Sequence, residues 1–179
     1  MKYPVLFLDR DGVINQERGY ISKKEEFFFN ELIFKVCKIF KSIGYKIVIV
    51  TNQSGIGRKK INIDDFHQLT LWMLQKFERQ EIIVDLVIAS ALDPESEKVT
   101  YYEEFRRKPQ PGMFIDAGEI IPIDFQNSFM LGDRLTDGLA AQAAGIGNIY
   151  IISDLELPSY PFVFVKSLEK FLELSNTLV

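Results

Sequence analysis

The sequence predicts an α/β fold in which a doubly wound, mainly parallel β-sheet carries helices on both faces. Short apolar runs rich in β-branched residues alternate along the chain with longer segments whose apolar residues recur at helical spacing. Several of the apolar runs end abruptly in polar residues. Ligands bind such sheets at the carboxyl ends of the strands, so this pattern also predicts where a site would lie.

The first part of the chain is predicted to contain two buried strands with a helix between them. Residues 5–8 are consecutive apolar residues, as expected of a strand buried on both faces. Polar residues 14–21 form a loop that leaves the strand end. A helix is predicted over about 31–43, and Gly44 ends it. The β-branched run 46–50 is the second strand.

The middle of the chain is predicted to contain a long amphipathic helix and a third strand. Asn62 is suited to cap this helix. The apolar stripe of the helix consists of Phe66, Leu69, Met73 and Phe77. The third strand lies within 82–89, and the polar segment from 90 to 104 is predicted to be irregular.

The last part of the chain continues the alternation. A helix is predicted from about Pro111 to Ile120, because proline suits the first turn. An alanine-rich helix ends at Ala144, before Gly145. The remaining predicted elements are strands at 128–131, 149–152 and 162–165 and an edge helix at 167–174.

Composition limits the kind of protein this can be. The 179 residues are 47% apolar, which suits one well-buried domain over residues 1–179. A formal charge of −4 gives no general attraction to nucleic acid or to an anionic membrane. The single cysteine, Cys37, excludes an internal disulfide, and the sequence shows neither a signal peptide nor an apolar run long enough to span a membrane. We expect a monomer in the cytoplasm.

Polar residues after three strands point to one site. Asp9 and Asp11 follow the first strand, and period-two geometry places their side chains on the same side. Two such carboxylates require a cation between them or a retained proton. A simpler interpretation is that Asp11-Gly12 only forms a turn. The other members of the predicted site are Thr51, Asn52, Lys108, Asp133 and Asp137.

This set of residues suits phosphoryl transfer. Oxygen-rich ligation is what Mg²⁺ prefers, and the cation would offset the charge of the aspartates and of a bound phosphate. Lys108 could then hold a phosphate oxygen, while Thr51 and Asn52 donate hydrogen bonds. One carboxylate could attack phosphorus in line, and a second could protonate the leaving alkoxide and then activate water.

Four spans of the sequence resemble the four motifs of the haloacid dehalogenase (HAD) superfamily. They are Asp9-Arg10-Asp11-Gly12-Val13, Thr51-Asn52-Gln53-Ser54-Gly55, Arg107-Lys108-Pro109-Gln110-Pro111-Gly112 and Gly132-Asp133-Arg134-Leu135-Thr136-Asp137. They occur in the order typical of the superfamily, and the resemblance covers roughly residues 4 to 154. The closest similarity is to the branch that contains heptose-bisphosphate and histidinol-phosphate phosphatases.

The resemblance implies a HAD-like fold and a role for each motif residue. Asp9 would be the nucleophile and Asp11 the general acid and base. The Asp9 carboxylate, the Asp11 backbone carbonyl and Asp133 would hold Mg²⁺. The phosphoryl group would be bound by Thr51, Asn52 and Lys108, and Asp137 would orient Lys108 or support the metal ligands.

The same resemblance suggests contacts to the rest of the substrate. They are Gln53, Ser54, Arg58 and Arg107, and Arg58 could meet a second phosphate. Lys59 and Lys60 are interpreted as solvated loop residues. The lone His67 lies on a predicted helix and is a weak candidate for a base.

One segment departs from the pattern of the branch. Its members often carry a zinc loop, with a Cys-x-His pair and a Cys-x-Cys pair ahead of the Arg-Lys-Pro motif. Residues 90–106 contain neither cysteine nor histidine, so we expect no zinc. Packing by Tyr101, Tyr102 and Phe105 is expected to hold this segment instead. The intervals after the first and third strands are too short for a separate cap domain.

The sequence thus predicts a Mg²⁺-dependent phosphatase of a small sugar phosphate, with the C7 phosphate of a heptose bisphosphate as the expected substrate in bacterial surface-polysaccharide synthesis. Histidinol phosphate is the alternative, since acidic loop residues such as Glu95 could meet its amine. Repair of a phosphorylated DNA end fits the acidic charge less well. A catalytically silent protein that binds a phosphorylated metabolite is a further alternative.

Overall fold

The computed structural model describes residues 1–155 and 161–178 of the chain. Its centre is a six-stranded, fully parallel sheet with the strand order β3-β2-β1-β4-β5-β6. The strands are β1 (Val5–Leu8), β2 (Lys46–Asn52), β3 (Leu86–Ser90), β4 (Phe129–Gly132), β5 (Asn148–Ile152) and β6 (Val163–Val165). The prediction of a doubly wound parallel sheet is confirmed.

Helices lie in the connections from β1 to β5 and after β6. They are α1 (Leu32–Ser42), α2 (Ser54–Gly57), α3 (Ile63–Arg79), α4 (Tyr101–Arg106), α5 (Gly112–Ile120), α6 (Leu135–Ala143) and α7 (Leu168–Ser175), and a 3₁₀ turn follows at Asn176–Leu178. No helix within residues 1–155 and 161–178 is long and apolar enough to cross a membrane.

Both faces of the sheet are buried, as the apolar β1 predicts. Leu6 and Leu8 pack on one face with α1, α3 and α7, whereas Val5 and Phe7 pack on the other with α5 and α6. All four side chains are fully buried. Because both faces are buried, the sequence of this strand is an unbroken apolar run and does not alternate between apolar and polar residues.

The strand order reverses beside β1. The chain runs from β1 outward through β2 to β3, then returns to place β4 on the other side of β1. Loops that leave β1 and β4 therefore diverge to opposite faces and open a crevice at the carboxyl edge of the sheet. The part of the chain that the structure describes contains this one sheet, and the lack of a cap domain stays a prediction.

Local sequence signals explain most helix boundaries. The Asn62 side chain caps α3 by accepting a hydrogen bond from the backbone N–H of Asp64, as predicted. Gly44 follows α1 with a φ of +90°, a conformation that favours glycine.

Two short helices were not predicted. α4 lies in the segment expected to be irregular, and its first turn is closed by a capping box between Thr100 and Glu103. α2 follows β2 directly.

Candidate active site

Six of the seven polar residues predicted to form a site, all except Asp133, line one cavity of about 250 Å³ at the carboxyl ends of β1, β2 and β4. The residues that line it are Asp9, Asp11, Glu17, Thr51, Asn52, Ser54, Arg107, Lys108, Arg134, Leu135, Thr136 and Asp137. Because parallel strands end at the same edge, residues far apart in sequence meet here.

Lys108 is the buried cation of this cavity. Its Nζ lies 2.7 Å from Asp9 Oδ1 and 2.6 Å from Asp137 Oδ1, and it donates a hydrogen bond to the Val50 carbonyl at 3.0 Å. The Asn52 side chain holds the Lys108 backbone, since it accepts from the Lys108 N–H at 3.1 Å and donates to the carbonyl at 3.0 Å. The Lys108–Pro109 peptide bond is cis. The loop before α5 is thus fixed to the end of β2.

The buried carboxylates and the Lys108 ammonium group shift one another's pKa values. Burial lowers the pKa of Lys108, but the neighbouring Asp137 and Asp9 carboxylates outweigh burial and hold it above its usual range. Burial raises the pKa of Asp9, and Asp137 adds to this, against the opposing effect of Lys108. Burial and Asp137 likewise raise the pKa of Asp133 to about 6. If all three carboxylates were ionised, they would carry more negative charge than one ammonium group balances.

The aspartate cluster has the donor set of a hard-cation site. One carboxylate oxygen from each of Asp9, Asp133 and Asp137 lies within 4.8 Å of the others. The Oδ1 of Asp133 is buried and has no hydrogen-bond partner among the residues that the structure describes. A buried acceptor without a partner is unfavourable, and a divalent cation bound by oxygen ligands would satisfy it. The residues present therefore fit such a cation.

Both carboxylate oxygens of Asp137 make polar contacts. Its Oδ1 contacts Lys108, and its Oδ2 accepts hydrogen bonds from the backbone N–H groups of Asp133 at 3.2 Å and Arg134 at 3.0 Å. Asp137 therefore fixes the backbone that carries Asp133 and also orients Lys108. This arrangement is compatible with the supporting role expected of Asp137.

The Asp11 carboxylate lines the cavity and is held by side chains outside the aspartate cluster. It accepts hydrogen bonds from Gln53 Nε2 at 2.8 Å, Asn15 Nδ2 at 3.0 Å and Arg10 Nη2 at 2.7 Å. Gln53 also donates to Thr51 Oγ1 at 2.9 Å. Gln53, expected to contact substrate, thus lies behind Asp11 and Thr51 and orients both.

Arg58 and Arg107, expected to contact substrate, differ in position. Arg107 lines the cavity, and its Nη1 donates a hydrogen bond to the Leu92 carbonyl at 3.1 Å. Arg58 is not among the lining residues, because its guanidinium is paired with Asp93 at 2.9 Å and Glu95 at 3.0 Å. The structure therefore places Arg58 differently from the expected substrate contact.

Sequence reasoning missed one pair at the cavity. Arg134 Nη2 lies 3.0 Å from Glu17 Oε2, although 117 residues separate them. Glu17 belongs to the polar loop after β1, and Arg134 to the fourth motif span. No local pattern indicates such a pair, since it depends on how two loops meet.

Comparisons with known proteins agree with this geometry. A family model for HAD-hydrolase-like proteins matches residues 105–156. The chain is 40% identical over 153 residues to D-glycero-beta-D-manno-heptose-1,7-bisphosphate 7-phosphatase of Vibrio cholerae, which covers 85% of this chain and 82% of that protein. It is also 40% identical to the D-glycero-alpha-D-manno-heptose-1,7-bisphosphate 7-phosphatase of Burkholderia mallei, over 86% of this chain and 82% of the relative.

A solved structure shares the fold. The D,D-heptose 1,7-bisphosphate phosphatase of B. bronchiseptica, solved with magnesium and phosphate, superposes with a TM-score of 0.82. The alignment covers 98% of this chain and 99% of that one, at 22% sequence identity.

Proposed function

Because this chain belongs to the HAD-like family of heptose-bisphosphate phosphatases, we propose that it removes the C7 phosphate of D-glycero-D-manno-heptose 1,7-bisphosphate. The relatives named above act, by their names, on the beta and the alpha anomer respectively, so either anomer is open. The enzyme class itself, a phosphoric monoester hydrolase, follows from family membership.

One observation carries the proposal. The buried Lys108 ammonium joins Asp9 and Asp137 beside an Asp133 oxygen that has no partner within the described part of the chain. A phosphoryl group placed here would be held by Lys108 on one side and by a cation on the other. We assign Mg²⁺ to the Asp9 carboxylate, Asp133 and the Asp11 carbonyl, where it would neutralise charge on the phosphoryl group.

In the first half-reaction, an Asp9 carboxylate oxygen attacks phosphorus in line, and the bond between phosphorus and the C7 oxygen breaks. Asp11 gives its proton to the departing alkoxide. Lys108, the Thr51 hydroxyl and the Asn52 amide donate hydrogen bonds to the phosphoryl oxygens as their charge develops. The products are the free C7 hydroxyl and a phosphoryl group bonded to Asp9 as an acyl phosphate.

In the second half-reaction, Asp11 takes a proton from a water molecule that attacks phosphorus. The bond to Asp9 breaks, inorganic phosphate leaves, and both aspartates return to their starting states. Asn15, Gln53 and Arg10 hold the Asp11 carboxylate through this cycle, because their hydrogen bonds reach both of its oxygens.

Charge at the cavity mouth favours a second anionic group on the substrate. Arg107 and Arg134 both line the cavity, and Ser54 adds a hydroxyl. Among the acidic loop residues that could have met the amine of histidinol phosphate, Glu95 is paired with Arg58, and Glu103 caps α4. The bisphosphate is therefore the better fit.

Other expectations stay predictions. They are a monomeric state, a cytoplasmic location, one domain over residues 1–179, no zinc and no nucleic-acid partner. The assignments of individual catalytic and substrate-binding residues are likewise proposals.

The test is phosphate release in the presence of Mg²⁺, with heptose 1,7-bisphosphate and histidinol phosphate compared at equal concentration. We expect a strong preference for the bisphosphate. Arg107→Met should weaken that preference, whereas Arg79→Met, an exposed arginine at the end of α3, should not. Preference for histidinol phosphate would overturn the substrate assignment and leave the chemistry at Asp9 intact. Binding without turnover on any substrate would indicate a silent binder.

A further inference from the structure

Arg58 bridges two loops that flank the candidate active site. Its Nε lies 2.9 Å from Asp93 Oδ1 and its Nη2 3.0 Å from Glu95 Oε1, both in the 91–98 loop between β3 and α4. Its Nη1 donates a hydrogen bond to the Tyr20 hydroxyl at 3.0 Å, in the loop that follows β1. One side chain thus contacts both loops.

The pair with Asp93 is the stronger of the two ion pairs. The Arg58 and Asp93 side chains are 27% and 21% exposed, whereas that of Glu95 is 79% exposed. An exposed ion pair contributes little because water and salt screen it, and a partly buried one contributes more. Asp93 is also held by the Glu95 backbone N–H at 3.0 Å, so its carboxylate has a fixed direction.

The backbone brings the same segments into close contact. The Gly57 N–H donates to the Ala91 carbonyl at 3.1 Å, and the Gln53 N–H donates to the Ser90 carbonyl at 2.7 Å. A Cβ atom at Gly57 would collide with the Ala91 carbonyl oxygen. The turn that carries Arg58 is therefore built to lie directly against the start of the 91–98 loop.

The 91–98 loop also contacts Arg107. Its guanidinium donates to the Leu92 carbonyl, the residue next to Asp93. Burial and the nearby Arg58 lower the pKa of Arg107, while Asp93 opposes them, so Asp93 lies close enough to influence both arginines. A displacement of Leu92 would move the one protein acceptor recorded for the Arg107 side chain within the described residues.

We propose that Arg58 is a positioning residue that holds the 91–98 loop through Asp93 and thereby places Arg107 at the mouth of the cavity. It acts on the substrate only through Arg107. The proposal rests on the proposed function for the role of Arg107, but the effect on the loop does not depend on it.

The first test measures the loop without substrate. Amide hydrogen exchange over residues 91–98 should be faster in Arg58→Met than in the parent protein. Asp93→Asn, which keeps the acceptor for the Glu95 N–H, should have the same effect. Lys59→Met removes one positive charge from the adjacent exposed residue and should leave exchange unchanged. Unchanged exchange in both Arg58→Met and Asp93→Asn would overturn the proposal.

The second test is a double-mutant cycle on the bisphosphate. Arg58→Met should raise KM by about fivefold to tenfold with little change in kcat, because Arg107 is no longer held in place. Arg58→Lys should recover part of this, since it keeps one charged donor. In an Arg107→Met background the Arg58→Met change should add nothing further.

Fully additive effects on KM would show that Arg58 contacts the substrate directly and would overturn the proposal. If Arg107→Met leaves KM unchanged, the proposed substrate contact of Arg107 fails, and the exchange measurement alone supports or overturns the loop-holding role of Arg58.

Discussion

Lys108 Nζ lies 2.7 Å from Asp9 Oδ1, although 99 residues separate the two in sequence. The contact joins the end of the central strand to the loop before α5 and is almost completely buried. It sets the nucleophile proposed for this enzyme beside a fixed positive charge.

Removal of this charge should slow the reaction strongly. In Lys108→Met we expect turnover to fall by about 10²- to 10³-fold, because the developing charge on the phosphoryl group loses a preorganised donor. Steady-state phosphate release measures this. Lys38→Met, an exposed lysine on α1, is the control and should retain parent activity. A Lys108→Met enzyme with parent kcat would refute the role of Lys108.

Gly12 is predicted to be required for the position of Asp133. Its φ is +89°, and a Cβ there would collide with the Asp133 carboxylate. Gly19 has a similar φ of +81° but nothing within 4 Å of the added atom. Both Gly→Ala changes carry a backbone strain of about 1–2 kcal/mol. Only Gly12→Ala also displaces the Asp133 carboxylate, so only this variant should lose activity and Mg²⁺ binding. Equal activity in the two stable variants would contradict this account.

Asp133 should be needed for stabilisation by Mg²⁺. A cation that binds only the folded state at one hundred times its Kd stabilises the protein by about 2.7 kcal/mol. We expect a corresponding rise in Tm on addition of Mg²⁺ for the parent and for Asp65→Asn, an exposed control, but not for Asp133→Asn. Thermal unfolding with and without Mg²⁺ is the measurement, and an unchanged Mg²⁺ response in Asp133→Asn would contradict the assignment.

Asp85 should make the stability pH-dependent away from the site. Partial burial raises its pKa, but hydrogen bonds from Lys46, the Ile47 N–H and Lys41 outweigh burial and hold it below its ordinary value of 3.8. A lowered folded pKa means that the stabilisation is present above the unfolded value and is lost as the pH falls through the folded one.

We therefore expect Asp85→Asn to lower the free energy of unfolding by about 1 kcal/mol near neutral pH. The difference from the parent should shrink below about pH 4, where Asp85 begins to be protonated in the unfolded chain. Urea unfolding over a pH series measures this. A difference that does not change with pH would exclude the ion pairs as its cause.

The sequence predicted those parts of the site that depend on strand ends. Asp9 and Asp133 follow buried strands and Thr51 lies at the end of one, and parallel pairing brings such positions to one edge whatever the details of the loops. The alternation of strands and helices gave the order of elements for the same reason, since apolar periodicity records burial directly.

Features that depend on contacts between loops could not be predicted. The partners of Arg58 and the pair of Glu17 with Arg134 join segments with no shared local pattern, and the direction of the Asp11 carboxylate is set by Gln53 and Asn15. In contrast, α4 had a local signal in the Thr-x-x-Glu spacing of its capping box, which the irregular composition of the segment concealed.

The most direct test of the central claim is phosphate release from heptose 1,7-bisphosphate in Mg²⁺ by Asp9→Asn, with Asp9→Ala as a second variant that cannot revert by deamidation. We expect both variants to fold and neither to release phosphate above background, because no other group in the cavity replaces the Asp9 carboxylate as nucleophile. Turnover near that of the parent by either variant would contradict the covalent mechanism.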